Sequence, residues 1–392
     1  MKKKSFLLLS WSDNYGGAAQ SSYSIYKCLN KINKNVKFFV QRKILKDKSV
    51  NTYTKITFNL FIRKVVNFLM YNLRSVNKDR SYNFINSDIL EIAKVNNYDV
   101  VNVHWFGAET LSINDLAKIK SKVILTLHDM WAFCGSEHYV DELPVEYFFS
   151  GKKGFVKKID HFIWKRKFML WKKKFPVIVP SNWLYNKLRE SRLMYNWPAK
   201  VIPYPIDQKI FRKRNNLKNN NKTLLKILFV NAGKLFDKRK GFDLLIEALQ
   251  KLKTPFALYV VGKKSKLIET NYDFNIKYLG YIKNKNSLSK IYNRMNILAL
   301  PSRIDNLPNV GLEAHSCGLP IVSFNVGGIP DIITHKKTGY LAKAYDVKDF
   351  TKGIEFVKRN LADLSVNALK KSKRWSYNSI SKKYFKFINS TF

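Results

Sequence analysis

Short apolar runs alternate along the chain with longer segments whose apolar residues recur every three or four positions. An unbroken apolar run of about four to eight residues suits a strand buried on both faces of a parallel sheet. The three-to-four spacing suits a helix laid over that sheet. In the first half the runs at 5–10, 36–40, 100–104, 123–128 and 177–180 predict strands, with helices at 18–29 and 113–119 between them. The regularity breaks at Pro203-Tyr204-Pro205, and the polar, basic stretch 212–222, with Asn219-Asn220-Asn221, predicts a linker. The pattern then restarts, with strands at 227–231, 257–261, 276–279, 297–300 and 321–324 and helices at 242–252 and 312–316. The tail 375–392 carries Trp375, Ile380, Tyr384 and Ile388 at helical spacing. The fold class is therefore α/β, with two Rossmann-like, doubly wound halves. These are expected at 1–205 and 226–372, joined by a linker at 206–225. A closing helix at 373–392 is expected to cross back to the first half.

Composition narrows the setting. A chain of 392 residues with 46% hydrophobic content has enough apolar material for two cores and is not disordered. The 71 Lys+Arg against 28 Asp+Glu, a formal charge of +43, call for an acidic partner: nucleic acid, an anionic membrane or a phosphorylated ligand. A lysine-rich background spread over the whole chain accounts for part of that excess. Cys28, Cys134 and Cys317 are far apart and form no disulfide framework, which suits a reducing compartment. The apolar run 6–9 meets Trp11-Ser12-Asp13 too soon for a signal peptide, and no run approaches the roughly 20 residues of a spanning helix. A cytoplasmic protein with at most peripheral membrane contact is expected.

Loops that follow strands are where a doubly wound fold places its ligand. The first strand runs into Asp13-Asn14-Tyr15-Gly16-Gly17 ahead of a helix. Two glycines there admit either a close backbone approach to an anion or a plain strand–helix turn. Neither G-x-G-x-x-G nor P-loop spacing is present. His128 directly follows a second strand in a chain with six histidines, and His104 follows a third, with Trp105 beside it and Glu109 close behind. In the second half Lys234 follows a strand and Lys238-Arg239-Lys240-Gly241 precedes a helix, a placement that suits a diphosphate. The stretch PSRIDNLPNVGLEAHSCGLPIVSFNVGGIPD (301–331) is the richest. A helix beginning near Pro308–Asn309 turns its free N–H groups toward the preceding loop, where they can meet phosphate or sugar oxygens. Glu313 then lies about one turn inside, where a carboxylate can accept both hydrogens of a ribose diol. Gly327-Gly328 gives another close backbone approach. There is no D-x-D and no zinc-ligand spacing, so neither a metal nor a cofactor is expected.

The motifs HDMW (128–131), VIPYPID (201–207) and PSRIDNLPNVGLEAHSCGLPIV (301–322) together resemble those of GT-B glycosyltransferases of glycosyltransferase family 4. The likeness is greatest to the subgroup that builds bacterial capsule, exopolysaccharide and lipopolysaccharide. The resemblance covers nearly the whole chain, most strongly 227–341 and least at 50–91. It implies two domains facing across a cleft and metal-independent, retaining transfer from a nucleoside-diphosphate sugar to a lipid-linked or glycan acceptor. The family's two glutamates fall on Asp305 and Glu313. Glu313 would hold the donor's ribose. Asp305, one methylene shorter than the family's Glu, would touch the transferred sugar. The backbone of Asn306, Leu307, Pro308, Asn309 and Val310 would meet the donor's sugar or phosphates. Lys234 and Lys240 match the basic pair on the diphosphate. His128 matches the histidine beside the donor sugar, and Gly16 and Gly17 match the glycine loop. The catalytic set implied is His128, Asp305 and Lys240.

One segment does not belong to that chemistry. Residues 151–176 (GKKGFVKKIDHFIWKRKFMLWKKKFP) interleave ten Lys/Arg with Phe155, Ile159, Phe162, Ile163, Met169 and Trp171. At helical spacing the apolar residues read as one stripe flanked by lysines, as in a helix lying on an anionic membrane. The alternative is a stripe packed on the N-terminal sheet. Residues 63–74 (RKVVNFLMYNLR) have a similar character. No nucleic-acid-binding motif is present and the lysines are spread over both halves, so nucleic acid is not an expected partner. An epimerase-like sugar-nucleotide enzyme and a transferase fold without catalysis are the other readings. The oligomeric state is left open.

Overall fold

The computed structural model describes residues 4–52, 57–69, 80–107, 110–140, 155–214, 224–234, 237–263 and 273–392. The chain forms two compact units, Met1–Pro203 with Ser381–Phe392, and Tyr204–Ile380.

The first unit is built on a parallel sheet of β1 (Phe6–Ser12), β2 (Val36–Arg42), β3 (Val50–Thr52), β4 (Val100–Val103), β5 (Lys122–Thr126), β6 (Val177–Val179) and β7 (Ala199–Val201). The order across the sheet is β3-β2-β1-β4-β5-β6-β7. Central β1 pairs with β2 and β4 together, Leu8 lying opposite both Phe38 and Asn102. A strand covered on both faces needs apolar side chains in both directions, which explains the unbroken Phe6-Leu7-Leu8-Leu9. Leu7, Leu9, Val101, Val103, Leu125 and Val177 join Trp131, Trp164 and Trp171 in one core. The helix Ile113–Lys118 begins with a reciprocal capping box between Ser112 and Asp115. The end of the closing helix Tyr377–Thr391 is part of this unit, with Phe385 edge-on to Phe6 at 5.9 Å.

The second unit holds β8 (Leu225–Lys234), β9 (Phe256–Lys263), β10 (Ile276–Gly280), β11 (Ile297–Leu300), β12 (Ile321–Phe324) and β13 (Gly339–Ala342) in the order β10-β9-β8-β11-β12-β13. Both sheets are parallel and doubly wound, as expected from the sequence, and both contain the order 3-2-1-4-5-6, the first with a seventh strand at its edge. The strand order therefore reverses between β1 and β4 in one unit and between β8 and β11 in the other. The three strands the hydrophobic pattern misses, β3, β7 and β13, all lie at sheet edges. An edge strand pairs on one side only and needs no long apolar run, so three or four residues suffice.

Where the sequence predicts a linker, the described residues are packed. Ile206 bridges to Ser376, Ser289 Oγ donates to the Ile210 carbonyl at 2.7 Å, and Phe211 is buried beside Tyr292. The chain thus enters its second unit at Tyr204. Asn219-Asn220-Asn221 lie outside the described residues.

Candidate active site

In the second unit the predicted residues gather at the carboxyl ends of β8, β11 and β12, around the point where strand order reverses. A one-turn 3-10 helix, Lys238–Lys240, follows β8, and Asp237 caps it through the Arg239 N–H at 3.0 Å. Gly241 ends it at φ +64°, where a Cβ would sit 2.0 Å from the Pro301 carbonyl oxygen. Only glycine lets this turn lie against the loop after β11. Two bonds fasten it there: the Arg303 N–H donates to the Arg239 carbonyl at 2.7 Å, and Arg303 Nη1 to the Lys238 carbonyl at 2.8 Å. The Arg303 guanidinium also forks onto Asp243, at 2.8 and 2.6 Å.

This seating brings Lys240 and Asp305 together. Lys240 Nζ lies 2.6 Å from Asp305 Oδ2, so two residues singled out for the donor hold each other. The Asp305 backbone is fixed in turn: its carbonyl accepts the Gly328 N–H at 2.9 Å, and Gly327, at φ +55°, leaves no room for a Cβ beside it. Asn306, Leu307 and Pro308 are buried, and the helix Asn309–Ser316 starts behind Pro308, where a start near Pro308–Asn309 is expected. Asn309 and Val310 occupy its first turn and are partly exposed. Glu313 lies inside that helix, 5% exposed, and accepts the Tyr292 hydroxyl on Oε2 at 3.0 Å. Burial pushes its carboxyl up to about 7, partly offset by Lys285 and by the Tyr292 bond. The Lys234 backbone ends β8 beside Lys263, and its side chain lies outside the described residues.

The first unit answers with a different arrangement at the ends of β1, β4 and β5. Gly16 opens the helix Gly16–Ile32 at φ +83° and Gly17 follows it, both exposed. Tyr15 next to them lies under the Arg42 guanidinium at 5.0 Å. His104 and His128 are buried and joined, Nδ1 to Nε2, at 3.2 Å. Burial holds both imidazoles neutral, lowering His128 to about 4 and His104 well below its ordinary value. Asp129 beside them is saturated. Its Oδ2 accepts Trp105 Nε1 at 2.7 Å and bonds His138 Nδ1 at 2.7 Å, while Oδ1 accepts the Trp131 N–H at 3.0 Å. With its oxygens so occupied, Asp129 is a poor candidate for a general base. Glu109 lies outside the described residues. His138 passes the chain on to Ser81 Oγ at 2.9 Å. Trp105, Phe106, His128, Asp129 and His138 line one small cavity.

His138, Arg303 and Tyr292 were not singled out from the sequence. The available signals were the scarcity of histidine for His138 and, for Arg303, its place two residues before Asp305. Tyr292 had none, because its partner is 21 positions away.

The basic aromatic segment divides differently from the single stripe expected. In the helix Phe155–Leu170, Ile163 and Trp164 face the core, whereas Phe162, Phe168 and Met169 are exposed. Lys167, predicted to flank the stripe in solvent, is fully buried. Its ammonium donates to the carbonyls of Trp131, Cys134 and Gly135 and lies 3.4 Å from the Trp131 ring centroid. Burial pushes its pKa well below that of a solvated lysine, against three carbonyls that only the ammonium can supply with three donors. The correction has a simple cause: the chain 131–135 turns its carbonyls inward and needs a buried donor. Residues 151–154 lie outside the described residues.

Among the described residues no helix is long and apolar enough to cross a membrane, and no group of three or more His, Cys, Asp or Glu is spaced to hold a metal.

Residues 226–360 match the family of glycosyl transferases group 1. An uncharacterized glycosyltransferase of Haemophilus influenzae is 32% identical over 158 residues, 38% of this chain and 42% of that protein. The chain spans about two fifths of the length of the curated relatives it matches. Among solved structures, sucrose-phosphate synthase from Thermosynechococcus elongatus aligns with a TM-score of 0.72 at 15% identity, covering 100% of this chain and 99% of that one. HepE from Anabaena, solved with UDP and glucose, aligns with a TM-score of 0.67 at 14% identity, covering 99% and 100%. At such identities the likeness is one of fold. Residues 226–360 are therefore similar to the group 1 glycosyl transferases, and the chain has the GT-B fold.

Proposed function

We propose that this chain is a retaining, metal-independent glycosyltransferase of family 4. It moves a sugar from a nucleoside-diphosphate sugar to a lipid-linked or glycan acceptor in bacterial cell-surface glycan synthesis. The observation that carries the reading is Glu313: a buried carboxylate one turn inside a helix, behind a loop that ends in a Lys–Asp pair. Glu313 Oε2 is taken by Tyr292, which leaves Oε1 for a ribose diol. Lys240 faces the diphosphate with Lys234, and the first N–H groups of the helix Asn309–Ser316 add a partial positive charge. In this reading the bond from the anomeric carbon to the phosphate oxygen breaks and its electrons leave on the diphosphate. Lys240, Lys234 and the helix end neutralise that charge, a role a metal fills in other enzymes. The acceptor hydroxyl forms the new bond on the face the diphosphate leaves, and the departing phosphate takes its proton. His128, neutral because it is buried, would donate or accept a single hydrogen bond at the sugar. Asp305 would contact the transferred sugar only after releasing Lys240.

The setting follows from the acceptor. A lipid-linked acceptor requires the enzyme to work at the inner face of the cytoplasmic membrane, and the exposed residues of 151–176 supply basic groups beside Phe162, Phe168 and Met169. The test is a thermal-shift screen against UDP-, GDP- and other nucleotide sugars, followed by the Glu313→Ala variant. One donor should raise the melting temperature of the native chain and fail to raise that of the variant, whose own melting curve stays cooperative. Normal transfer kinetics from Glu313→Ala would sink the assignment.

A further inference from the structure

The helix Phe58–Leu69 (FNLFIRKVVNFL) leaves four large apolar side chains in solvent: Phe58 at 76% exposure, Phe61 at 58%, Val65 at 41% and Phe68 at 74%. At about 100° per residue all four fall within an arc of roughly 80° on one face. The opposite face is committed to the first unit. Arg63 is 1% exposed, with Nη2 donating to Gln41 Oε1 at 3.4 Å, and Asn59 Nδ2 donates to Asp88 Oδ1. The helix is therefore anchored by its polar side and presents its apolar side outward, the reverse of an ordinary surface helix.

We infer that this face is a docking surface for an anionic lipid bilayer. The helix contains no acidic residue, and exposed Lys64 lies next to the stripe. A second exposed apolar group borders the same part of the unit. Phe162 packs on Phe84 at 5.9 Å, four residues before the Asp88 that Asn59 holds. Exposed Lys158, Lys165, Lys172, Lys173 and Lys174 flank Phe162, Phe168 and Met169 along the chain. Exposed aromatic side chains with exposed lysines near them in the chain match a bilayer interface, where rings enter below the headgroups and lysines meet the phosphates. A second copy of the chain is a poorer occupant, because each copy carries +43 and would bring its own lysines against its partner's. The surface's purpose, access to a lipid-linked acceptor, rests on the function proposed above; its chemistry does not. It also shifts the main apolar contact from 151–176 to 58–68.

The test is co-sedimentation with vesicles of phosphatidylglycerol and phosphatidylcholine in equal parts, against phosphatidylcholine alone. The native chain should partition onto the anionic vesicles. Phe61→Ser with Phe68→Ser should weaken that partition by at least about tenfold, the expected consequence of losing two inserted rings. Its melting temperature and its response to nucleotide sugars should stay unchanged. Phe61→Trp should show blue-shifted emission with anionic vesicles only. Unchanged partition of the double variant would overturn the inference. So would a dimer of the native chain that the double variant abolishes, since the face would then belong to a second copy. Vesicle binding by a chain that responds to no nucleotide sugar would leave this surface standing and remove the proposed function instead.

Discussion

The two units share a strand order and differ in what they place where that order reverses. In the second, charged groups meet at the mouth of the site: Lys240 with Asp305 at 25% and 11% side-chain exposure, and Arg303 with Asp243 at 33% and 64%. In the first, the polar groups are buried and close on one another, from Trp105 through Asp129 and His138 to Ser81, and from His104 to His128. An open ion pair can exchange partners with an anionic ligand at little cost. A closed buried network cannot, and serves to hold side chains still. A donor bound as proposed would meet exchangeable charge in the second unit and preformed shape in the first.

The largest expected effect tests the closed side. Arg80 lies between Glu137 and Asp160, 2.8 Å from the latter, and all three are buried. Removing its charge leaves Glu137, beside His138, and Asp160, in the helix Phe155–Leu170, without their buried countercharge. Arg80→Met should lower the stability of the first unit by about 3–5 kcal/mol in urea unfolding. A loss below about 1 kcal/mol would mean the network is open to water and the contrast between the units is false.

On the open side, Lys240→Met should cost about 1–3 kcal/mol of stability, less than Arg80→Met, because it leaves one carboxylate at 11% exposure without its countercharge rather than two. It should weaken binding of a nucleoside diphosphate by about 10–100-fold, the worth of one charge-assisted hydrogen bond of about 1.5–3 kcal/mol. Asp305→Asn sharpens the reading. Freed from its partner, Lys240 should hold the diphosphate at least as well, while transfer slows if Asp305 touches the sugar. Isothermal titration with the diphosphate alone, beside turnover, separates the two effects.

Glu313 gives the contrast a pH signature. Its folded pKa of about 7 exceeds the ordinary 4.5, so the folded chain holds the proton more tightly than the unfolded one. Stability from this group is therefore greatest below about 4.5, falls as pH rises toward 7 and levels off above. Donor binding should run the other way, because only the ionised carboxylate accepts both ribose hydrogens. Affinity should rise by up to about tenfold per pH unit below 7, and Glu313→Gln should flatten the profile. A flat profile in the native chain would show that Glu313 does not meet the ribose as a carboxylate.

The same contrast explains what was legible in the sequence. The α/β class and the central strands could be read because strands buried on both faces need continuous apolar runs. Much of the second unit's site could be read because Asp305, Asn309, Glu313 and Gly327 occupy one contiguous segment. The first unit's polar chain draws on positions 81, 105, 129 and 138, and no local pattern links them. Lys167 misled for a related reason: by composition it is one more surface lysine, and only the three carbonyls turned toward it make it a core residue. The exposed face of Phe58–Leu69 was half visible, since the 63–74 window begins after Phe58 and Phe61.

The smallest effect is expected at Arg303, and it distinguishes a strut from a ligand contact. The residue ties the turn Lys238–Lys240 to the loop that carries Asp305, through its own N–H and through its guanidinium. Its fork onto Asp243 is largely exposed, so Arg303→Met should cost no more than about 1 kcal/mol of stability. The backbone bond from Arg303 to Arg239 survives the substitution, so the turn should stay seated but less firmly. Donor affinity should then fall only a few-fold, and that loss should vanish in the Lys240→Met background if Arg303 acts by steadying Lys240. An equal loss in both backgrounds would mean that Arg303 meets the diphosphate itself, and the open side of the comparison would then have a third cation.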